Sequence, residues 1–231
     1  MGYATESNTS TENASGKPLR AEDFQAMAGV SDAVIEHLSS YLNTLQRWQK
    51  KINLVGAATL SDPWRRHILD SGQLYPLLSE SDMTIVDIGS GAGFPALVLA
   101  ILDLQNVNSG THARQFHLIE SDSRKCIFLN EIIRLSGVAG IVHNVRVEAY
   151  MGPRADAVTA RACAPLAQLV SWTAPLLAAR GRGLFLKGKK VQDELTLTAK
   201  DWRMDVIKHT SVSDTRGVIL EVKNLAQYND Q

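Results

Sequence analysis

The stretch Thr84–Ile101, TIVDIGSGAGFPALVLAI, decides the fold of this chain. It begins as an apolar, strand-like run, is broken by glycines at positions 89, 91 and 93, and continues as a second apolar run. Glycine lets the backbone turn sharply and approach a ligand closely, because it has no side chain. A glycine-rich turn between a strand and a helix is typical of nucleotide-binding α/β folds. The stretch therefore predicts a cofactor site at the end of a strand.

The spacing of these glycines narrows the choice of cofactor. Dinucleotide-binding turns follow the pattern G-x-G-x-x-G, with the pyrophosphate at the helix N-terminus. Here the third glycine comes one residue early, and Asp87 stands two residues before Gly89. A carboxylate there disfavours a pyrophosphate and favours a ligand with an ammonium or sulfonium group, such as S-adenosylmethionine.

Apolar strand-like runs alternate with helix-like runs after this turn. The strand-like runs are TIVDIG, QFHLIE, IVHNVRV, ADAVTAR and GLFLKG, and the clearest helical ones are DSRKCIFLNEIIRLSG and CAPLAQLVSWTAPLLAA. Two later runs, WRMDVIKHT and GVILEVKN, are joined by a short loop and predict an antiparallel hairpin at the edge of the sheet. The order predicts an α/β fold: a mostly parallel, Rossmann-like sheet with helices on both faces.

The N-terminal third predicts helices only. Ser31 is suited to cap a helix with apolar residues at helical spacing, and SDPWRRHILDSGQLYPLL predicts a second helical stretch. Residues 1–20 are rich in Ser, Thr, Asn and Glu, and we expect them to be disordered. The predicted organisation is a disordered tail (1–20), a helical extension packed on the core (21–80) and a Rossmann-like core (81–231), the last two forming one compact unit.

The composition is that of an ordinary globular protein. In 231 residues, 24 basic side chains balance 24 acidic ones, so no net positive field indicates a nucleic-acid partner, although a local basic surface would suffice. Cys126 and Cys163 have no metal-ligand spacing, and we expect no metal. The N-terminus lacks the apolar core of a secretory signal, and no run is long enough to cross a membrane. We expect a cytoplasmic protein.

Two more strand ends have residues suited to an adenosine group. Glu120 ends the strand after the glycine turn, where a carboxylate can accept hydrogen bonds from both ribose hydroxyls. Val147 and Glu148 end the next strand-like run, where an apolar contact and an acceptor suit adenine. Each glutamate taken alone would be read as an ordinary exposed carboxylate. Three strand ends in order favour S-adenosylmethionine as the cofactor.

Six motifs occur in order along the chain: RRHILDS, DIGSGAGFP, LIESDSRKCIFL, RVE, ARA and FLKG. In this combination the sequence resembles the bacterial 16S rRNA guanine-N7 methyltransferase family, RsmG, also known as GidB or glucose-inhibited division protein B. The similarity runs from about Leu38 to Val222. It implies a class I S-adenosylmethionine-dependent methyltransferase fold. It also implies that the substrate is N7 of the guanosine at position 527 of 16S rRNA, either in naked RNA or within the small ribosomal subunit or an assembly precursor.

The resemblance also implies roles for individual residues. Those that match the family's cofactor site, or that lie in its glycine turn, are Gly89, Gly91, Phe94, Glu120, Val147, Glu148 and Arg161. Glu120 matches the ribose-binding position, and Val147 and Glu148 match the adenine contacts. Arg161 is suited to the methionine carboxylate or to guanine O6, and an arginine in an internal ion pair is the alternative. The chain departs from the family at Ala96, where glycine is frequent.

The implied reaction needs little acid–base chemistry. Guanine N7 carries a lone pair and no proton, so its attack on a methyl group needs no general base. In-line positioning, worth ~7–11 kcal/mol in favourable cases, and the exclusion of water remain as contributions. We therefore expect no catalytic dyad and assign no catalytic residue. In place of the Asp-Pro-Pro-Tyr type of motif that an amino-directed methyltransferase needs, the sequence has ARACAPL.

Basic residues in two places are candidates for RNA contacts. Arg65, Arg66 and His67 lie in the second helical stretch, and Lys187 ends the fifth strand-like run. Each is suited to a phosphate group. The alternatives are an ordinary solvated surface for the charged residues and a partly buried, hydrogen-bonded side chain for His67.

Three other functions stay open on the sequence. An S-adenosylmethionine-dependent enzyme acting on a small molecule or a protein fits the neutral net charge. A nicotinamide-dependent oxidoreductase fits poorly, because the glycine spacing differs. A cofactor-binding protein without catalytic activity is the third, and methyl-acceptor assays separate it from an enzyme.

Overall fold

Strands of this computed structural model, which describes residues 17–108 and 114–228, form one sheet. They are β1 (Thr84–Ile88), β2 (Gln115–Ile119), β3 (Gly140–His143), β4 (Ala155–Arg161), β5 (Leu177–Lys187), β6 (Trp202–Thr210) and β7 (Val218–Gln227). Their order across the sheet is β3-β2-β1-β4-β5-β7-β6. The first five strands are mutually parallel, whereas β7 is antiparallel to both of its neighbours. The predicted mostly parallel sheet with a C-terminal antiparallel hairpin is confirmed.

Helices cover both faces of this sheet. The α-helices within the described residues are α1 (Ala21–Ala28), α2 (Asp32–Gln49), α3 (Asp70–Gly72), α4 (Ala96–Asn108), α5 (Ser123–Ser136), α6 (Leu166–Thr173) and α7 (Val191–Thr198). A π-helix, Trp64–Leu69, runs directly into α3. Because β1, β2 and β4 are parallel, their carboxyl ends meet at one edge of the sheet, and the candidate site lies there.

Helix α4 shows how the N-terminal helices join the hydrophobic core. Every side chain from Ala96 to Leu102 is buried. A helix that is apolar on all sides must be covered on all sides. The sheet contacts one side of α4, and α2 and α3 contact it as well. A second apolar cluster, on the opposite face of the sheet, packs α6 against Val86, Val158 and Phe185.

Two hydrogen bonds fix the N-terminal part of the described chain, one at the start of α2 and one before α1. Ser31 caps α2 as predicted, and its hydroxyl accepts a hydrogen bond from the Val34 amide at 3.5 Å. Helix α1 has no counterpart among the predicted elements. Leu19 lies in the segment predicted to be disordered, yet its amide donates to Asp62 at 2.9 Å. Residues 1–16 of that segment lie outside the described residues.

The third strand is shorter than predicted. The strand-like run 141–147 is extended only as far as His143, and Val147 begins a 3-10 turn. The side-chain amide of Asn144 donates to the carbonyls of Glu120 and Ser121, at 3.0 and 3.1 Å. These bonds draw the chain across the end of β2 and away from the sheet ladder. Val147 and Glu148 therefore lie beyond a strand end, not on it.

The helical run 163–179 also differs from its prediction. Helix α6 ends at Thr173, a 3-10 turn containing Pro175 follows, and the chain joins β5 from Leu177. Proline has no N–H with which to continue a helix, so it marks the point where the apolar pattern changes from helix to strand. Helix α7 was not among the predicted elements.

The described residues contain neither a membrane-spanning helix nor a metal-binding cluster. No helix within 17–108 and 114–228 is both long and apolar enough to cross a membrane. In the same two ranges, no three His, Cys, Asp or Glu side chains are grouped in a way that could hold a metal ion.

Candidate active site

The glycine turn follows β1 at the carboxyl edge of the sheet. Gly89, Gly91 and Gly93 have positive φ angles of 63°, 56° and 89°. A Cβ on Gly89 would lie 2.8 Å from the Cβ of Cys163, and a Cβ on Gly93 would lie 2.7 Å from the Tyr41 hydroxyl. Both the backbone conformation and the lack of space therefore require glycine at these two positions.

Asp87 is a buried carboxylate that uses only part of its hydrogen-bonding capacity. Its Oδ1 accepts from the Thr159 hydroxyl at 2.6 Å, whereas Oδ2 has no hydrogen-bond partner among the described residues. Burial raises the pKa of Asp87 to about 6, although the hydrogen bond from Thr159, the nearby Ser90 hydroxyl and the charge of Arg161 act in the opposite direction. A desolvated carboxylate is stabilised in its ionised form when a cation approaches it. Asp87 therefore suits the ammonium group of a ligand.

Glu120 lies at the next strand end, beside the glycine turn. Its Oε2 accepts from the Gly91 amide at 2.9 Å, and its Oε1 accepts from the Asp122 amide at 2.8 Å. Backbone donors fix the carboxylate without neutralising its charge, and each oxygen has a further lone pair for a ligand hydroxyl. This arrangement suits the predicted ribose contact, which stays a prediction.

A small cavity of about 150 Å³ adjoins Glu120. Val147, Glu148 and Trp172 are among its lining residues. The indole N–H of Trp172 donates to Oε1 of Glu148 at 2.8 Å and so fixes the carboxylate. Apolar walls beside an acceptor suit adenine, and the site thus keeps the chemistry predicted for this region even though no strand ends there.

Phe94 is buried in a stack of side chains that joins the glycine turn to the N-terminal helices. The Tyr41 ring lies 5.1 Å from it and is tilted by 17°, and the His67 ring lies 4.7 Å from it and is tilted by 12°. The Tyr41 hydroxyl donates to the carbonyl of Ala92. The guanidinium carbon of Arg161 lies 4.7 Å from the centre of the Phe94 ring. The stack fixes the turn, whereas the predicted contact of Phe94 with a cofactor stays a prediction.

Arg161, the last residue of β4, is held by the π-helix and α3. Its Nη1 donates to the Arg66 carbonyl at 2.9 Å and to Oδ2 of Asp70 at 3.2 Å, and its Nη2 donates to Nδ1 of His67 at 3.2 Å. The internal ion pair considered as the alternative is therefore present. Because a guanidinium has five N–H groups, Nε and one N–H of Nη2 are left without a partner among the described residues. The orientation of Arg161 is fixed, but part of its donor set is available to a ligand.

His67 is neutral, and its neighbours define its tautomer. Because Arg161 donates to Nδ1, the ring proton is on Nε2, which lies 2.8 Å from Oγ1 of Thr59. The Thr59 hydroxyl donates in turn to the Gly56 carbonyl at 2.7 Å. Burial, together with the charges of Arg161 and Arg66, lowers the pKa of His67 to about 3. The structure thus matches the alternative considered for His67, a buried and hydrogen-bonded ring, and its contact with RNA stays a prediction.

The other predicted RNA contacts differ in exposure. The Arg66 side chain is 45% exposed, whereas that of Lys187 is 8% exposed and its ammonium lies 2.5 Å from a carboxylate oxygen of Glu194. Arg65 forms an ion pair with Asp62 at 2.9 Å. Lys187 was predicted as a phosphate contact, but α7 brings a carboxylate over the end of β5 and neutralises the lysine. Among these residues Arg66 is the most accessible cation.

One cavity of about 670 Å³ brings most of these groups together. Its lining includes the glycine turn, Glu120 and Arg161, together with Arg66, Asp214 and Lys187. The structure thus assembles around this cavity the predicted residues Gly89, Gly91, Phe94, Glu120, Arg161, Arg66, His67 and Lys187. Val147 and Glu148 line the adjoining small cavity, and Arg65 lines neither of the two.

The residues present fit S-adenosylmethionine. A bare glycine backbone, a buried carboxylate with a free oxygen at Asp87 and an oriented carboxylate at Glu120 match its methionine and ribose groups. Sequence reasoning did not single out Tyr41 or Trp172, whose hydrogen-bond partners are 51 and 24 residues away. Asp70 lies in the RRHILDS motif, and that motif was the signal from which it could have been found.

Comparison with known proteins agrees with this assignment of the cofactor. The family model for rRNA small subunit methyltransferase G matches residues 34–222. The ribosomal RNA small subunit methyltransferase G of Parvibaculum lavamentivorans is 46% identical, over 91% of this chain and 93% of the relative. The protein of the same name from Rhodospirillum rubrum is 47% identical, over 88% of this chain and 97% of the relative.

Solved structures share the fold of this chain. A Listeria monocytogenes protein assigned to the class I S-adenosylmethionine-dependent methyltransferases aligns with a TM-score of 0.58 at 11% identity, over 92% of this chain and 71% of that one. TYW2 from M. jannaschii, in complex with AdoMet, aligns with a TM-score of 0.52 at 16% identity, over 70% of this chain and 76% of that one. These similarities establish the fold class, and the matches in sequence establish more: the chain belongs to the rRNA small subunit methyltransferase G family.

Proposed function

We propose that this chain transfers a methyl group from S-adenosylmethionine to N7 of one guanosine of 16S rRNA, forming 7-methylguanosine. Its family makes it an S-adenosylmethionine-dependent rRNA methyltransferase. The acceptor atom, the nucleotide and the roles of individual residues are our proposal. The observation that carries the cofactor assignment is Asp87, a buried carboxylate two residues before Gly89 with one oxygen unpaired among the described residues.

The methionine part of the cofactor is assigned to β1 and β4. The backbone of Gly89 and Gly91 gives close access, Asp87 accepts a hydrogen bond from the ammonium group, and Arg161 donates its free N–H groups to the carboxylate. When bound, S-adenosylmethionine supplies a methyl carbon activated by a sulfonium centre. Asp87 becomes more acidic when it is paired with a cation, so the pair is fully ionised at neutral pH.

The adenosine part is assigned to β2 and the turn after β3. Glu120 accepts hydrogen bonds from the ribose hydroxyls while the Gly91 and Asp122 amides hold it in place. Val147 contacts the adenine ring, and Glu148, fixed by Trp172, accepts from its amino group. Phe94 supports the turn through its stack with Tyr41, as well as lining the cavity.

The chemistry that these residues support is a direct transfer. The N7 lone pair forms the new N–C bond, the C–S bond breaks with its electron pair on sulfur, and the positive charge moves to the purine. No proton is lost, so no general base is needed. Cys163 also lines the cavity, but burial raises the pKa of its thiol to about 12, so it is a neutral thiol and a poor competing nucleophile.

The RNA is assigned to the part of the large cavity lined by Arg66. Arg66 is accessible and is suited to a phosphate or a base edge, whereas Arg65, His67 and Lys187 act first through internal contacts. We propose that the acceptor RNA is presented within the small ribosomal subunit or an assembly precursor, in the cytoplasm.

Transfer of a labelled methyl group tests this proposal. Purified protein and labelled S-adenosylmethionine are incubated with small-subunit particles that lack their own modification, with naked 16S rRNA in parallel, and the labelled nucleotide is mapped. We expect label at a single guanine N7, lost with Asp87→Ala and kept with Asp193→Ala, the same change at an exposed aspartate of α7. If the cofactor binds but no RNA is labelled, the rRNA assignment is wrong, and proteins and small molecules become the acceptors to test.

A further inference from the structure

Two charged residues from distant parts of the chain meet at the large cavity. Arg66 belongs to the π-helix, Asp214 belongs to the turn between β6 and β7, and Nη1 of Arg66 lies 3.2 Å from Oδ2 of Asp214. Their side chains are 45% and 25% exposed, and both line the cavity. Unlike the ion pair of Lys187, this pair is accessible to a ligand.

The Asp214 carboxylate is oriented before any ligand binds. Its Oδ1 accepts from the Arg216 amide at 2.9 Å, and the Asp214 amide lies 3.3 Å from Oγ of Ser211, to which it donates. Ser213 donates to Asp70 at 2.5 Å and so ties the turn to α3. Hydrogen bonds from Arg216 and Arg66 lower the pKa of Asp214, so it is ionised at neutral pH.

The strand order places Asp214 away from the groups assigned to the cofactor. Those groups lie at the ends of β2, β1 and β4, in that spatial order. Next along the sheet come β5 and β7, and the first residue of β7, Val218, pairs with the last residue of β5, Lys187. The turn that carries Asp214 therefore stands over the end of β5, and the cavity there is left for the methyl acceptor.

Three carboxylates line the large cavity within the described part of the chain: Asp70, Glu120 and Asp214. Glu120 is held by backbone amides in the part assigned to ribose. Asp70 is occupied on both oxygens, by Arg161 and by Ser213. The cationic partners of Asp214 are themselves exposed, with 73% exposure for the Arg216 side chain, so water or a ligand can replace them at low cost.

We propose that the Arg66–Asp214 pair recognises the guanine base that is methylated; this rests on the proposed function. The Watson–Crick edge of guanine presents the acceptor O6 next to the donors N1–H and N2–H₂. Arg66 donates to O6, and Asp214 accepts from N1–H and N2–H₂. Adenine presents a donor in place of O6 and an acceptor at N1, so the same pair repels it. This arrangement leaves N7 free for the methyl group.

The charge of Asp214 also favours the transfer itself. Methylation at N7 makes the purine cationic and its N1–H a stronger donor. A fixed carboxylate bound to N1–H therefore interacts more strongly with the transition state than with the substrate. Loss of Asp214 is expected to lower kcat as well as raise KM for the RNA.

Inosine at the methylated position tests the proposal. Inosine keeps N7, O6 and N1–H of guanosine and lacks only the 2-amino group. We compare kcat/KM for small-subunit particles reconstituted with guanosine or inosine at this position. The wild-type protein is expected to prefer guanosine about 10- to 100-fold, because an unfilled contact to a buried or oriented carboxylate is costly. Asp214→Ala is expected to lower kcat/KM for guanosine and to bring the ratio close to one.

Three further variants test whether the preference for guanosine depends on the Asp214 carboxylate. Arg66→Ala is expected to lower kcat/KM for both bases equally, since inosine keeps O6. Asp193→Asn is expected to change neither value, and cofactor affinity measured by calorimetry is expected to be the same in Asp214→Ala as in the wild type. Should Asp214→Ala transfer no methyl group at all, the ratio is taken from Asp214→Asn, which keeps the shape of the side chain and one acceptor oxygen, and it is expected to be smaller than the wild-type ratio.

Each result separates this inference from the proposed function. A variant at Asp214 that keeps the wild-type preference for guanosine overturns the inference and leaves the proposed function standing. A wild-type protein that methylates no guanine N7 in the RNA overturns both. A wild-type protein that methylates guanosine and inosine equally shows that the 2-amino group is not recognised, and it too overturns the inference.

Discussion

Asp82 lies just before β1 and Asp87 lies near its carboxyl end. Both side chains are buried, but their carboxylates differ in their hydrogen-bond partners. Asp82 accepts two hydrogen bonds from the Arg182 guanidinium, at 3.0 and 2.6 Å, and one from the Ser79 amide at 2.7 Å. Asp87 accepts one from Thr159, and its other oxygen has no partner among the described residues. The first carboxylate is satisfied within the fold, and the second keeps one unpaired oxygen, which we propose binds the ammonium group of the cofactor.

This difference shows that burial alone does not identify a ligand-binding carboxylate. The two side chains are 4% and 1% exposed, so their exposure does not distinguish a structural carboxylate from a binding one. The number of donors around each does distinguish them. At the amino end of the sheet, charges are paired inside the protein and contribute to folding. At the carboxyl end, an unpaired charge costs stability in the free protein and contributes to binding instead.

The largest effect is expected from Asp82→Asn. The change removes the charge that pairs with Arg182 at 2.6 Å and leaves Arg182 its longer contact with Glu221, at 3.5 Å, so we expect the free energy of unfolding to fall by about 3 kcal/mol. Urea titration followed by circular dichroism measures it, with Asp193→Asn expected to stay within about 0.5 kcal/mol of the wild type. Cofactor affinity of the folded variant should not change. A loss below about 1 kcal/mol would show that this pair is not what stabilises the amino end.

Asp87→Asn is expected to weaken cofactor binding without lowering the free energy of unfolding. The variant loses a charged acceptor for the cofactor, worth about 1.5–3 kcal/mol, so affinity for S-adenosylmethionine should fall about 10- to 150-fold. Its unfolding free energy without cofactor should not fall, and a gain of about 1–2 kcal/mol is expected because a buried unpaired charge has been removed. Calorimetry and urea titration measure the two quantities. If this variant loses stability as the Asp82 variant does, the comparison between the two carboxylates is wrong.

The pH dependence sharpens the same comparison. The pKa of Asp87 is raised to about 6, above its ordinary value of 3.8, so the native state binds this proton more tightly than the unfolded state. Its contribution to the free energy of unfolding therefore increases as the pH falls from about 6 to about 4. Affinity for S-adenosylmethionine should decrease over the same window, because the proton occupies the site of the ammonium group.

The difference between the wild type and Asp87→Asn isolates this effect. His67 titrates with the opposite sign, since its pKa is lowered to about 3 and its contribution to stability is lost as the pH falls below about 6.5. Both proteins share that contribution, so it cancels in the comparison. A cofactor affinity that falls equally in both proteins would exclude Asp87 as its cause.

The smallest effect is expected from Tyr41→Phe, with Tyr75→Phe as its counterpart at the other end of the sheet. Tyr41 donates to the Ala92 carbonyl in the glycine turn, and Tyr75 donates to Asp103 at 3.0 Å. Tyr41→Phe removes this one hydrogen bond, worth about 0.5–1.5 kcal/mol, whereas Tyr75→Phe also removes the bonds that its hydroxyl accepts from Asn106 at 2.9 Å and Arg114 at 3.5 Å. We expect Tyr41→Phe to weaken cofactor binding several-fold and Tyr75→Phe to lower stability alone. Equal cofactor affinities in the two variants would contradict a role of Tyr41 in holding the turn.

Most of the fold could be predicted from local patterns in the sequence. The strands around the glycine turn, the C-terminal hairpin and the cap at Ser31 follow from periodicity and turn residues, which act over a few positions. The end of β3 could not be predicted this way, because the side chain of Asn144 binds carbonyls of another strand and overrides an apolar pattern that continues to Val147. The π-helix was also hidden, since its apolar spacing differs little from that of an α-helix.

Site residues that lie within one strand–turn segment could be predicted from the sequence. Contacts between residues from distant segments could not. Gly89, Asp87 and Glu120 could be placed because each follows or ends its own strand. The pairing of Lys187 with Glu194 could not be, because in the sequence Lys187 is simply the first of several lysines. Similarly, nothing near Arg66 in the sequence indicates Asp214, which lies 148 residues further along the chain.

The π-helix Trp64–Leu69 has a consequence for changes in chain length. A π turn contains one residue more than an α turn, so deleting one residue here would leave an ordinary α-helix. If the deleted residue is Ile68 or Leu69, which lie between His67 and Asp70, the two side chains would be rotated relative to each other by roughly 100°. The ring could no longer stack on Phe94 while Asp70 still reached Arg161. We therefore expect this segment to accept many substitutions on its outer side, but not the gain or loss of a single residue.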